Sequence, residues 1–291
     1  MLSSLDVGPV RRQYMEFGVV GSSFVDYSWR DFLQALVRLG VDAIELDTRP
    51  AAHCSTWYPD LDPGPIVEDL KNRNLRVGAF VVNVDLVQAD EGALEQEVAA
   101  ARDWMDLSFR YRSEVIRLCP QRPKPGLSRQ AMLGSVLRGC RALIEHAEES
   151  AMLVCLHPDT EVLRDAVTLR RLVEETGSYN LKVSLDVLML LRALRDPEAV
   201  RSAVDSLLDH TAHVVLRDGK VSPGTGAVTE APVGRGDCPV DMVVSELTAR
   251  NFYRPFYVAY EGSGDRLDAV GEGVKYFRDL PNRILEEMGL L

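Results

Sequence analysis

The chain has no apolar run long enough to span a bilayer as a helix, which opposes a helical membrane protein. Its first residues, Met1-Leu-Ser-Ser-Leu-Asp-Val-Gly-Pro9, lack the basic-then-apolar order of a signal peptide. There is no CxxC pair; the five cysteines (Cys54, Cys119, Cys140, Cys155, Cys238) are scattered and odd in number. Reduced thiols and a cytoplasmic location are therefore expected. No GxGxxG follows the first expected strand, which counts against a dinucleotide-binding fold. Positive charge is in short supply: 33 Lys plus Arg against 44 Asp plus Glu leave a net charge of −11. That balance opposes nucleic-acid binding, which needs a basic footprint. Neither a close repeat nor a composition break divides the chain, so one domain over residues 1–291 is expected.

What is present is a core-forming composition, 46% hydrophobic over 291 residues. That length suits one large α/β barrel or two ordinary domains. Hydrophobic periodicity predicts strands at Met15–Phe24, Val41–Leu46, Leu75–Val82, Val115–Cys119, Met152–His157, Tyr179–Asp186, Ala212–Arg217 and Pro255–Glu261. Between them it predicts helices at Trp29–Leu39, Ile66–Asn74, Glu91–Arg112, Ser128 to about Ser150, Val162–Thr176, Pro197–Asp209, Val240–Asn251 and about Leu267–Met288. The Gly-rich stretch Asp218–Cys238 reads as an irregular loop. Strict alternation implies a parallel sheet, and eight units in this length favour a closed (β/α)8 TIM barrel.

In such a barrel the chemistry sits where strands end. Those ends carry Glu45, Asn83, Arg117, His157, Asp186, Arg217 with Asp218, and Glu261. Lys182, Ser184 and Asp186 share one face of their strand by its period of two. Two carboxylates and an imidazole from separate strands, Asp186, Glu261 and His157, suit one divalent cation: Mn²⁺, Co²⁺, Mg²⁺ or Zn²⁺. The plainer reading is that Asp186 caps a helix, His157 bonds a loop and Glu261 pairs with an arginine. Arg117 and Arg217 could clamp a substrate oxyanion, or pair with Glu45, Asp186 or Asp218. His53, Trp57 and Tyr58 lie in a long polar loop, Asp47–Pro63, and could meet a substrate or a second copy of the chain. His213 has the inward parity of Val215 but lies deeper, as a buried core histidine would.

Several segments resemble the xylose isomerase-like TIM barrel family, the sugar phosphate isomerase/epimerase group that includes endonuclease IV relatives. Gly40-Val-Asp-Ala-Ile-Glu-Leu46 resembles the family's second strand. Gly234-Arg-Gly-Asp-Cys-Pro-Val-Asp241 and Phe256-Tyr-Val-Ala-Tyr-Glu261 resemble its glycine-rich loop and last metal-binding glutamate, and Leu185-Asp186 its sixth-strand aspartate ligand. The likeness covers nearly the whole chain. It implies a metal-dependent isomerase or epimerase that removes a proton beside a carbonyl of a small sugar-like or keto substrate.

The departures are specific. The family usually has a glutamate ligand at the end of strand five, where this chain has His157-Pro-Asp159. A histidine often follows the strand-six aspartate, where Met189 stands. The usual His-x-His-x-Lys-Asp of strand seven reads His213-Val-Val-Leu-Arg-Asp218, which puts Val215 at the ligand position. A remaining site of His157, Asp186 and Glu261 is one outcome; loss of the metal is another. On the first, Glu261 or His157 carries the proton, and Glu45, His53, Arg117, Asp159 and Arg217 hold the substrate. A dehydratase or lyase, or a metal-free binding barrel, fits the same departures.

Overall fold

The computed structural model describes residues 15–47, 63–119, 121–158, 161–281 and 283. Strand β1 (Phe17–Val20) enters a 3-10 turn at Gly21–Phe24. Ser28 then caps α1 (Trp29–Leu39), its Oγ accepting the Asp31 N–H at 3.2 Å. Phe32, Leu33 and Leu36 form its buried stripe, and Gly40 ends it in the left-handed region at φ 66°. The next pairs are β2 (Ala43–Asp47) with α2 (Gly64–Lys71), β3 (Arg76–Asn83) with α3 (Glu91–Arg110), and β4 (Val115–Cys119) with α4 (Arg129–Glu149). They are followed by β5 (Leu153–Leu156) with α5 (Ala166–Thr176), and β6 (Leu181–Asp186) with α6 (Val187–Leu194) and α7 (Pro197–Asp205). The chain then forms β7 (Thr211–Leu216), a hairpin of β8 (Asp218–Val221) and β9 (Val228–Ala231), α8 (Val240–Ala249), β10 (Phe256–Val258) and α9 (Arg266–Arg278).

The barrel closes in the order β1-β10-β7-β6-β5-β4-β3-β2, with every neighbouring pair parallel. The eight expected strands are all present. Two expectations need correction. A helix, α6, begins directly after Asp186, inside the apolar run Val187-Leu-Met-Leu-Leu191. Short apolar runs carry no usable period, so only the Asp186 cap distinguishes this helix from more strand. The stretch Asp218–Cys238 is not wholly irregular, because β8 and β9 pair antiparallel within it. Among the described residues, no helix is long and apolar enough to cross a membrane. Of the cysteines, Cys119, Cys140, Cys155 and Cys238 are free and buried; Cys54 lies outside the described residues.

Apolar packing falls into two regions. The larger lies between the barrel and its helices, and a smaller one fills the barrel interior with Val20, Ala79, Cys155, Val215, Tyr257 and Ala259. Tyr257 is the bulkiest of these, and Gly18 beside it leaves room for the ring. A Cβ at position 18 would lie 2.6 Å from Tyr257 Cδ1 and 2.9 Å from the Ala43 carbonyl oxygen. Neither the ring nor the strand can yield cheaply. Gly18→Ala is expected to cost about 1–3 kcal/mol, measured by urea denaturation; an unchanged midpoint would remove this packing account.

Candidate active site

Alternate residues of a strand face the barrel interior. That parity sends Arg117 from β4, Ser184 and Asp186 from β6, and His213 and Val215 from β7 inward. His157, Arg217 and Glu261 lie just beyond β5, β7 and β10. Arg117, His157, Asp186, Arg217 and Glu261 line one cavity of about 390 Å³ at the carboxyl ends of the strands.

Beneath the cavity lies a buried polar network. Arg117 grips Glu45 with two bonds, Nε to Oε2 at 2.9 Å and Nη2 to Oε1 at 2.5 Å. Glu45 is fully buried. Burial pushes its carboxyl up, but Arg117 and His213 outweigh burial and hold it at about 2. His213 Nε2 lies 2.8 Å from Glu45 Oε2, off the line of a hydrogen bond. The imidazole stacks on Tyr257 at 4.8 Å between ring centres. Its Nδ1 lies 2.9 Å from Ser184 Oγ, and Ser184 Oγ lies 3.2 Å from His157 Nδ1. Burial holds both imidazoles below the usual histidine range, His157 well below it, so both are neutral near pH 7.

The mouth is organised by Arg217. Its Nε and Nη2 grip Glu230 at 3.2 and 2.9 Å, and Nη2 also reaches Glu261 Oε2 at 3.0 Å. Nη1 lies 3.7 Å from Asp186 Oδ2. Glu230 also accepts from Arg192 Nη2 at 3.1 Å and from the Glu261 backbone N–H at 2.9 Å. Ser22 donates to Glu261 Oε1 at 2.7 Å. Asp186 Oδ1 caps α6 by accepting the Met189 N–H at 3.1 Å. Its Oδ2 is buried without a hydrogen bond, 3.7 Å from His157 Nε2. Burial raises the Asp186 carboxyl above its ordinary value, and Arg217 opposes that rise.

The structure thus brings His157, Asp186 and Glu261 to one cavity without arranging them as metal ligands. Among the described residues, no group of three or more His, Cys, Asp or Glu side chains is placed to hold a metal ion. The Arg217 guanidinium contacts both expected carboxylate ligands. Val215, paired in register with Asp186, presents methyl groups where the resemblance places an imidazole. The donor set of the described residues therefore does not fit the expected divalent cation. The helix cap at Asp186 and the arginine pairing of Glu261 are both realised.

Of the expected substrate contacts, Arg117 and Arg217 line the cavity, whereas Glu45 lies beneath it. His53, Trp57, Tyr58 and Asp159 lie outside the described residues. Sequence reasoning missed Glu230, Arg192 and Ser22 as parts of the site. Glu230 sits on the hairpin rather than at a barrel strand end, and Arg192 on the unforeseen α6. Ser22 lies in the 3-10 turn after β1 and read only as a small turn residue. Ser184 carried a usable signal, since it shares the face of Asp186.

No curated protein matches the chain. Among solved structures, a D-tagatose 3-epimerase-like protein superposes with a TM-score of 0.74 at 17% identity, covering 94% of this chain and 100% of the other. A probable 3-DHS dehydratase, AsbF, involved in petrobactin synthesis from Bacillus anthracis gives a TM-score of 0.71 at 19% identity, covering 91% and 99%. A xylose isomerase-like TIM barrel protein from Mycobacterium smegmatis in complex with magnesium gives 0.70 at 16% identity, covering 91% and 96%. At these identities the likeness shows the fold. The sequence pattern of one family, described as xylose isomerase-like TIM barrel, matches residues 33–280. With that match over most of its length, the chain belongs to the xylose isomerase-like TIM barrel family.

Proposed function

We propose that the protein is an enzyme of the isomerase, epimerase or dehydratase type, moving a proton beside the carbonyl of a small sugar-like or keto substrate. The observation that carries this is the pairing of a carboxylate and a cation in one cavity: Glu261 Oε2 and Arg217 Nη2 lie 3.0 Å apart in its lining. Glu261 is the proton acceptor. Its side chain is 38% exposed, against 1% for Asp186, so a substrate carbon can reach it. As Glu261 takes the proton its charge disappears and negative charge develops on the substrate oxygen. Arg217, released from part of its ion pairing, then donates to that oxygen. The protonated Glu261 then returns its proton to the neighbouring carbon or to a leaving group, and His157, neutral on the same cavity wall, hydrogen-bonds a substrate hydroxyl or accepts its proton.

The charges lining the cavity bear on the substrate. Arg117 is matched by Glu45, and Arg192 and Arg217 by Glu230 and Glu261. Arg122 lines the cavity with no ion pair among the described residues. A substrate carboxylate or phosphate would meet unneutralised charge there.

The test is solvent exchange in D₂O, followed by NMR over a panel of aldoses, ketoses, their phosphates and 2-keto acids. Deuterium should enter beside the carbonyl of at least one member. Glu261→Gln should slow that exchange by about 10²–10⁴-fold. If the panel shifts the melting temperature yet none of it exchanges above buffer, the enzyme reading gives way to a binding barrel.

A further inference from the structure

We infer that the guanidinium of Arg217 is the permanent cation of this barrel mouth, standing in for the divalent ion that the family resemblance implies. Three carboxylates surround it: Glu230 at 2.9 Å, Glu261 at 3.0 Å and Asp186 at 3.7 Å. Two of these are the expected metal ligands. Both of their carboxylates already face a positive charge.

The replacement is built into strand seven. Val215 and Arg217 are two residues apart and share inward parity, so both side chains serve the same cavity. The family pattern has a lysine at the position of Arg217, so strand seven changes in two ways: Val215 removes the imidazole donor, and a guanidinium takes the place of an ammonium. The planar guanidinium fork can hold more than one carboxylate at once, where an ammonium is a point charge.

The guanidinium is also anchored. Glu230 holds it through two nitrogens and is itself 6% exposed. Glu230 belongs to β9, which pairs with β8, and β8 begins at the residue after Arg217. The clamp is therefore part of the same chain segment as the cation it holds. A divalent ion entering between Asp186 and Glu261 would have to evict a buried, doubly bonded guanidinium, and Glu230 would lose its main partner. Breaking this buried ion pair is unfavourable even though Arg192 and the Glu261 N–H stay on Glu230. Arg217 also differs chemically from a metal: it offers N–H donors to an oxyanion but generates no metal-bound hydroxide.

Metal independence stands apart from the proposed reaction, whereas the use of Arg217 on a substrate oxyanion rests on it. The test begins with intact protein purified without chelator, analysed for bound metal and melted with Mn²⁺, Co²⁺, Zn²⁺ or Mg²⁺ before and after EDTA treatment. We expect no stoichiometric metal and no shift in melting temperature. A bound equivalent of metal, or a melting temperature that rises with metal concentration, overturns the inference.

The second arm is the double variant Val215→His with Arg217→Ala, which restores an imidazole and frees both carboxylates. It is expected to gain a metal-dependent rise in melting temperature. A folded double variant without that gain would show that the guanidinium is not what fills the place. Substrate exchange that stops on chelation and returns with Mn²⁺ would overturn metal independence while leaving the reaction intact. Exchange absent under every condition would overturn the reaction reading, and the melting results would be unaffected.

Discussion

Arg117→Met is expected to lower the unfolding free energy by about 3–5 kcal/mol. The physical reason is the charge left behind. Glu45 is completely buried, and Arg117 supplies its two aligned hydrogen bonds. His213 remains close, but its contact is poorly aligned and its ring is held neutral by burial. Methionine keeps much of the arginine stem's volume, so the loss reports the charge rather than a cavity. The midpoint of guanidinium denaturation near pH 7 is the measurement.

The pH dependence has a defined sign. In the native protein the Glu45 carboxyl is lowered from 4.5 to about 2. A lowered carboxyl stabilises the fold above its unfolded value, and this contribution is lost as pH falls from about 4.5 towards 2. Without Arg117, burial acts on Glu45 with less opposition and raises its carboxyl instead. In the variant Glu45 then favours the fold when protonated, a contribution that fades as pH rises. The difference between wild type and Arg117→Met should therefore be largest near pH 7 and shrink towards pH 5. A difference that is constant with pH would mean that Glu45 is not the group responsible.

Asp218→Ala is expected to be comparably damaging, on the order of 3–5 kcal/mol. The buried Asp218 carboxylate accepts four backbone N–H groups, from Gly219 at 2.8 Å, Gly234 at 3.0 Å, Gly236 at 2.8 Å and Cys238 at 3.0 Å. Each donor loses its partner in the variant, and a buried N–H without a partner is costly. The close fit leaves no room for a larger acceptor, since a Cβ at Gly236 would already collide with the Asp218 carboxylate. Hydrogen exchange should show the Gly234, Gly236 and Cys238 amides losing protection first. The effect should spread to the mouth, because Glu230 rides on the hairpin that begins at Asp218. Arg217 would lose its clamp, so any exchange activity should fall more than the global stability predicts. If activity and stability fall in strict proportion, the hairpin does not position Arg217.

Much of the barrel was legible because its signals are local. The span of helix α1, Trp29–Leu39, was readable from its apolar stripe and Gly40, but the sequence allowed Asp26 or Ser28 as the cap and counted Val37, which is exposed, in the stripe. Strand β4 was equally clear, since Val115–Cys119 is a short apolar run between a helix and a proline-rich loop. The inward parity of Ser184 and Asp186, and the depth of His213, followed from the period of two. Helix α6 and the β8–β9 hairpin were not legible. The first is an apolar run without period, and the second depends on an aspartate whose partners are all backbone groups.

The candidate site divides along the same line. That charged residues collect at the carboxyl ends of strands was determined by the sequence alone, because strand period and alternation are local properties that place those ends on one rim. Which charge meets which was decided only by tertiary structure. Ser22 and Glu261 are 239 residues apart in sequence and bond because β1 closes the barrel on β10. Arg117 meets Glu45 across 72 residues, although β3 lies between their strands, because the barrel curves both side chains into one interior. Arg217 could have faced a substrate, Asp186 or solvent on sequence grounds. The hairpin settled the matter by carrying Glu230 to it, and with Glu230 in place a guanidinium holds the carboxylates that were expected to hold a metal.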